Sequence, residues 1–239
     1  MTHFQDGVNI GAAGMPQQSR SLPNLLPGAS LGVPMSSRVV YDVVPAAIVA
    51  NCLVTSAIVN GAATLTAGTS TTTTTISGNT VIKLDVPRCI SITGTAGGVT
   101  AVPFTIVGYD LYGQPMTEVI TGPAATATVT TLKSFAYVRS ITSTGTTTAA
   151  VTVGTSDTLG LPYRVDSFGY VNIFYNTAWV TANTGFTAAV TTDPATTTTG
   201  DVRGKYALQS ASDGVKRFVA YIYVADVDTM KGAYGVLPV

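Results

Sequence analysis

Short runs of β-branched and aromatic residues, separated by turn residues, dominate the chain from residue 39 onward. Val39–Val44, Val81–Val86 and Phe218–Val224 are such runs, and Asn60-Gly61 is a typical turn pair between them. The turn signals recur roughly every 8–12 residues, a spacing typical of sandwiches and barrels. We find no stretch with the hydrophobic period of a helix that is long enough to matter. The pattern predicts an all-β fold, a β-sandwich of jelly-roll-like or Greek-key type.

Composition supports the same fold class. The chain contains roughly 40 threonines, which suit strands, but only one glutamate, Glu118, although glutamate and lysine usually fill exposed helix positions. Charged residues make up 10% of the 239 residues, and 12 basic against 12 acidic residues give a formal net charge of +0. Because there is no basic excess, no nucleic-acid or membrane partner is predicted.

Three regions are expected along the chain. Residues 1–38 are rich in proline and glycine, which excludes a continuous helix or a central strand and predicts an extended irregular arm. Residues 39–165 are expected to form the body of the β-sandwich. Residues 166–239 are expected to form a C-terminal β region that packs on, or completes, the same sandwich.

The most informative stretch is Phe104–Pro123, which is predicted to be a hairpin. One strand ends at Tyr109, a turn passes through Asp110 and Gly113, and a second strand returns to Ile120. Aspartate can accept hydrogen bonds from the backbone two residues on, and glycine supplies the positive φ that a tight loop needs.

Two further runs allow two interpretations each. Val43–Val59 is uncharged over 17 residues, but Pro45 and Asn51 interrupt it, so a buried strand is favoured over a membrane span. Thr64–Thr75 contains five consecutive threonines. An exposed loop or edge strand is favoured there over a threonine ladder on a flat sheet.

The residues that usually carry catalysis are scarce. The only histidine is His3, in the Pro-rich arm, so a nucleophile–histidine arrangement would depend on a residue next to the terminus. Cys52 and Cys89 lie in apolar runs and are interpreted as small buried hydrophobic residues. The chain is predicted not to be an enzyme, with no cofactor and no metal site.

The acidic residues are mostly interpreted as turn residues. Asp226 and Asp228, together with Asp201, could gather oxygen atoms around Ca²⁺, but no loop of ligand spacing accompanies them, so a solvated loop is favoured. The others at predicted turn positions are Asp110, Asp157, Asp193 and Asp213.

Candidate binding residues come from the second half of the chain. Phe218, Ala220 and Ile222 alternate with Val219, Tyr221 and Tyr223, so this strand is either buried on both faces or meets a partner. The only tryptophan, Trp179, lies in another aromatic-rich strand pair. A small basic cluster either docks an acidic surface or forms a solvated edge; its members are Arg203, Lys205, Lys216 and Arg217.

Three segments resemble virion structural proteins of tailed bacteriophages. Gly108–Pro123 is similar to a Gly-x-Asp-x-x-Gly-x-x-x-x-Glu-x-Ile-x-Gly-Pro hairpin of that family. The other segments are Gly154–Val165 and Thr199–Tyr206, with Gly232–Val236 near the end of the chain. The resemblance spans about residues 100–239. It implies a capsid cement, or decoration, protein: a β-sandwich oligomer that binds over the joints of the capsid lattice.

The predicted function is therefore that of a capsid decoration protein on the virion surface, made in the host cytoplasm. Its expected partners are the major capsid protein and further copies of itself, as a dimer or trimer, with the arm lying across neighbouring capsid subunits. The alternative is a tail or head fibre component that binds a host receptor or glycan through Trp179 and the tyrosine-rich strands. The candidate interface residues are Pro16, Pro23, Pro27, Pro34, Arg203, Lys205, Trp179, Tyr221 and Tyr223.

Overall fold

The computed structural model describes residues 36–68, 71–97, 99–190 and 196–225. Pro16, Pro23, Pro27 and Pro34 lie outside the described residues, as does the expected arm up to residue 35. Residues 36–38, which were assigned to the arm, belong instead to the first strand. The body therefore begins three residues earlier than its sequence pattern suggested.

The described residues form two antiparallel sheets. The smaller sheet has four strands in the order β1-β14-β10-β11, and the larger has ten, with a main path β12-β13-β9-β5-β8-β6-β7. Off this path, β2 pairs with β9, β3 with β8 and β4 with β5. The all-β prediction is confirmed, and the curled larger sheet with its smaller neighbour fits a β-sandwich. The strands are β1 Ser36–Val43, β2 Val54–Ala57, β3 Asn60–Ala63, β4 Thr72–Ile76, β5 Asn79–Gly94, β6 Pro103–Tyr109, β7 Pro115–Thr121, β8 Thr128–Thr146, β9 Val151–Gly160, β10 Val171–Tyr175, β11 Ala178–Trp179, β12 Phe186–Thr187, β13 Lys205–Ala207 and β14 Phe218–Ala225, and a 3-10 helix spans Phe168–Tyr170.

Two hydrophobic clusters fill the interior. The first belongs to the larger sheet and its loops, with Leu53, Ile90 and Phe104 among its buried members. The second contains residues of both sheets, including Leu159 from β9 and Phe218 from β14. Because the second cluster draws on both sheets, it packs the smaller sheet against one end of the larger one.

One long strand, β5, extends well beyond the short run that the sequence pattern predicted. Val81–Val86, predicted as a separate run, is part of β5, which continues to Gly94 and whose pairing with β8 shifts register between Lys83 and Arg88. Pro87 lies inside this irregularity. A bulge lets a strand continue past a residue that has no N–H to donate, so the proline bends β5 without ending it.

The prediction of a buried strand over Val43–Val59 is wrong for most of its length. Only β2 is a strand there, and residues 44–53 follow an irregular path beside β9. Pro45 cannot donate to a ladder, and contacts such as Leu53 N to Val153 O, 2.9 Å, hold the segment instead. Cys52 and Leu53 are nevertheless fully buried.

In the described ranges, no helix has the length and apolar character needed to cross a membrane.

The predicted hairpin is confirmed in detail. β6 and β7 pair from Pro103 opposite Thr121 to Tyr109 opposite Pro115. Oδ1 of Asp110 accepts hydrogen bonds from the backbone N of Tyr112 and of Gln114, both at 2.8 Å. Gly113 has φ +79°, a conformation that glycine adopts without steric cost.

Within the described residues, the threonine run consists of a loop followed by the edge strand β4, which is the exposed loop or edge strand favoured from the sequence. β4 pairs with β5 alone and its threonines are exposed or half-buried. Thr69 and Ser70 lie outside the described residues.

A fully buried arginine ties distant segments together. The Nε of Arg88 donates to Oδ1 of Asp85 at 2.8 Å, and Nη2 donates to the carbonyl of Ala46 at 2.6 Å. Nη1 approaches the carbonyl of Ser156 and the hydroxyl of Ser212, each at 3.4 Å. One guanidinium therefore joins the bulge of β5, the irregular 44–53 segment, β9 and the loop before β14.

Replacing this arginine with methionine is expected to destabilise the fold strongly. Arg88→Met keeps a long side chain but leaves Asp85 and the carbonyl of Ala46 without their cation, and removing one partner of a buried ion pair costs about 3–5 kcal/mol. Lys83→Met, at an exposed position of the same strand, is the matched control. Urea unfolding monitored by circular dichroism measures both; equal stability of the two variants would contradict the role assigned to Arg88.

Candidate functional site

The outer face of the smaller sheet carries a group of exposed and half-buried aromatic residues. Residues of β14 alternate between its two faces as predicted: Phe218, Ala220 and Ile222 are fully buried, and on the other face Val219 is buried, Tyr221 half-buried and Tyr223 exposed. β10 and β11 add Phe174 and Trp179 beside Tyr221. We call Phe174, Trp179, Tyr221 and Tyr223 the aromatic face.

The rings of the aromatic face are in mutual contact. The ring centroid of Trp179 lies 5.4 Å from that of Phe174, edge to face. It lies 5.6 Å from the ring centroid of Tyr221, with an interplanar angle of 36°. The guanidinium of Arg38, on β1, lies 5.5 Å from the centroid of Tyr221. Trp179 keeps 57% of its surface exposed, so the largest ring of the group is open to a partner.

Strand pairing explains how these residues come together. Phe174 is opposite Val219 of β14 on one side and opposite Trp179 of β11 on the other. The connection between β10 and β11 is the pair Asn176-Thr177, with φ +46° and +72°. Two successive positive φ values match the twist of a two-residue hairpin, and this tight turn folds Trp179 back onto Phe174.

Polar groups surround the aromatic face. Nδ2 of Asn172 lies 3.4 Å from the hydroxyl of Tyr223. Asp42 and Arg217 form an exposed ion pair, Nε to Oδ1 at 2.7 Å, and this hydrogen bond lowers the pKa of Asp42. Trp, Tyr and Arg are the residue types that most often dominate binding energy in protein interfaces, and this surface carries all three.

The predicted basic cluster is not assembled. Arg203 is buried and its Nη1 pairs with Oδ2 of Asp110 at 2.8 Å, so the solvated-edge interpretation is wrong for this residue. Lys205 is half-buried and its Nζ donates to the carbonyl of Thr131 at 3.2 Å. Lys216 pairs with Asp213 and Arg217 with Asp42.

Several acidic residues are not the simple turn or loop residues that the sequence suggested. Asp110 does shape a turn, but it is also buried against Arg203. Asp157 lies within β9, and its Oδ1 accepts from the hydroxyl of Ser212 at 2.6 Å. Asp213 fits the turn prediction, since its Oδ1 accepts from the backbone N of Val215 and of Lys216.

Asp201 corrects the solvated-loop interpretation. It is buried, and its Oδ2 accepts from both the backbone N and the hydroxyl of Ser134, at 2.9 and 2.6 Å. Asp193, Asp226 and Asp228 lie outside the described residues. Within the part of the chain that the structure describes, no group of three or more His, Cys, Asp or Glu residues is placed to hold a metal ion.

Glu118 is a buried group whose role the sequence analysis did not identify. Its Oε1 and Oε2 accept from the backbone N of Leu132 and of Lys133, at 2.6 and 2.8 Å. Nζ of Lys133, itself buried, donates to the carbonyls of Thr117 and Thr196. The signal was present, since the single glutamate lies in an otherwise apolar and threonine-rich strand, where a charge needs a specific partner.

Both cysteines are free and buried, as predicted. Burial raises the pKa of Cys89 to about 12, and Nζ of Lys205 lies 3.8 Å from its sulfur. Burial also raises the pKa of Cys52. Raised pKa values keep both thiols protonated near neutral pH.

Comparison with protein-family models, with curated proteins and with solved structures finds no match to this chain.

The buried carboxyl of Glu118 is expected to impose a specific pH dependence on stability. Burial raises its pKa above the ordinary value of 4.5. Well below pH 4.5 the carboxyl of Glu118 is protonated in both the folded and the unfolded chain. As the pH rises, this carboxyl ionises first in the unfolded chain, so the folded state loses stability. The excess stability of the wild type over Glu118→Gln is therefore expected to be largest near pH 4 and smaller near pH 7.

Urea unfolding of both proteins between pH 4 and pH 7 measures this difference. The other carboxylates are common to the two proteins and cancel in the comparison. An excess that grows with pH would show that the backbone N–H groups of Leu132 and Lys133 favour the carboxylate more than burial disfavours it.

Proposed function

We propose that this chain is a bacteriophage capsid decoration protein that binds the outer surface of the major capsid lattice and bridges neighbouring subunits. The resemblance of Gly108–Pro123 and the two later segments to virion structural proteins supports the class. Low charge supports a chain that works in an assembly, because surface covered by neighbours does not need charge to stay in solution.

The observation that carries the proposal is the exposure of Trp179 within the aromatic face. A half-exposed tryptophan, supported by Phe174 and Tyr221 and flanked by Arg38, has the composition of the centre of a protein interface. Its ring is held in place by its neighbours before binding, so little conformational entropy is lost when a partner covers it.

The same surface supports a second candidate function, adhesion to a host glycan. Exposed aromatic rings beside polar groups are amphipathic, apolar on the ring and polar at the rim. Asn172 and Arg38 supply hydrogen-bond donors next to Tyr223 and Tyr221. This candidate places the chain in a tail or head fibre.

Substitution of the tryptophan tests the binding role. Trp179→Ala is expected to weaken binding to phage heads at least tenfold, since removing a central interface tryptophan costs about 2 kcal/mol or more. Ile58→Ala is the matched control, because Ile58 is 61% exposed but lies between β2 and β3 of the larger sheet. Co-sedimentation with purified heads that lack the protein measures occupancy.

The result separates the two candidates. Hundreds of copies per head, lost in Trp179→Ala but not in Ile58→Ala, are expected for a decoration protein. A few copies per particle, with saturable quenching of Trp179 fluorescence by host-surface polysaccharide, would favour adhesion. Wild-type protein that binds neither heads nor polysaccharide would contradict both.

A further inference from the structure

The first strand forms an edge of the smaller sheet. Within the described residues β1 pairs with β14 on one side and with no strand on the other. It is eight residues long, and Val40 at its centre is 49% exposed. A long edge strand presents a row of unpaired N–H and C=O groups that can accept another strand.

The inner face of β1 is also less covered than that of its neighbours. Phe218, Ala220 and Ile222 of β14 are fully buried, but Val39, Tyr41 and Val43 of β1 are only half-buried. The hydrophobic layer beneath the smaller sheet is therefore open at this edge. A further strand beside β1 would close it.

The sequence of β1 is complementary to itself in one register. Arg38, Val40 and Asp42 share the outer face, since all three are exposed and Arg38 contacts Tyr221 there. If two copies pair antiparallel about a two-fold axis at Val40, each Arg38 lies opposite the Asp42 of the other copy. Opposite charges directly across an antiparallel pair are stabilising.

Two-fold symmetry and the sequence that follows β1 restrict the alternative pairing registers. In an antiparallel pair, residues directly opposite each other lie on the same face of the sheet, whereas neighbouring residues of one strand lie on opposite faces. The two-fold axis must therefore place a residue opposite its own copy and cannot pass between two residue positions. An axis at Val39 or Tyr41 would place Val40 opposite Arg38 or Asp42, and neither register pairs Arg38 with Asp42. Pro45 follows the strand and limits the pairing on that side to residue 44, which an axis at Val40 places opposite Ser36.

We propose that two copies of this chain associate through β1, antiparallel and centred on Val40, so that their smaller sheets form one continuous eight-stranded sheet. The inference names the self-association surface of the proposed decoration protein and in that sense rests on the proposed function. Its test uses purified protein without phage heads, so the two can fail separately.

Cysteine cross-linking tests the register directly. In the proposed dimer the two copies of residue 40 face each other, with Cβ atoms about 5 Å apart, so Val40→Cys is expected to give a reducible dimer in high yield under mild oxidation. Val44→Cys is the matched control, equally exposed at 49%. It would face residue 36 of the other copy, about 26 Å from its own counterpart, and is expected to stay uncross-linked.

Sedimentation velocity of reduced protein supplies the second measurement. The wild type is expected to be a dimer, and Val40→Lys, which places two like charges face to face, is expected to raise the dissociation constant at least tenfold. Val215→Lys, at another exposed valine, is expected to change nothing. The buried Cys52 and Cys89 give no background in the cross-linking.

Three results would overturn the proposal. They are a wild type that is monomeric or trimeric, a Val40→Cys protein that does not cross-link, and a Val44→Cys protein that cross-links equally well. Normal binding to heads by such a protein would leave the proposed function standing.

Discussion

The arrangement of the two sheets depends on one constraint: the buried guanidinium of Arg88 needs hydrogen-bond acceptors. Arginine does not lose its charge in a protein, so a buried arginine must find acceptors. Asp85, Ala46, Ser156 and Ser212 supply them from four separated segments. Because those segments belong to both halves of the chain, the guanidinium is satisfied only when the halves are packed together.

The same principle explains where this chain puts its few charges. Glu118 and Lys133 join β7 to β8, and Asp110 pairs with Arg203 beneath the tight turn. Each of these groups lies inside the fold and is hydrogen-bonded, as buried charges must be. Several of the few charged residues of this chain therefore hold strands together in the interior.

Local periodicity was sufficient to predict the fold class and several strands, but not how far each strand continues or how the strands are arranged. The β6–β7 hairpin and the alternation of β14 follow from neighbouring residues, and both were predicted correctly. The continuity of β5 past Pro87 and the irregular path of residues 44–53 depend on partners far along the chain. For the same reason Arg203 was misjudged, since its partner Asp110 is distant in sequence and its burial is set by tertiary packing.

The aromatic face and the edge of β1 belong to one sheet, and this has a consequence for binding. A two-fold axis perpendicular to a sheet keeps both outer faces on the same side, so pairing through β1 would present two aromatic faces to one surface. Two linked sites bind the second partner at a high effective concentration, which raises avidity without any new contact. Although each chain has one modest binding face, the dimer would then hold two neighbouring subunits at once, and bridging a lattice requires such a double contact.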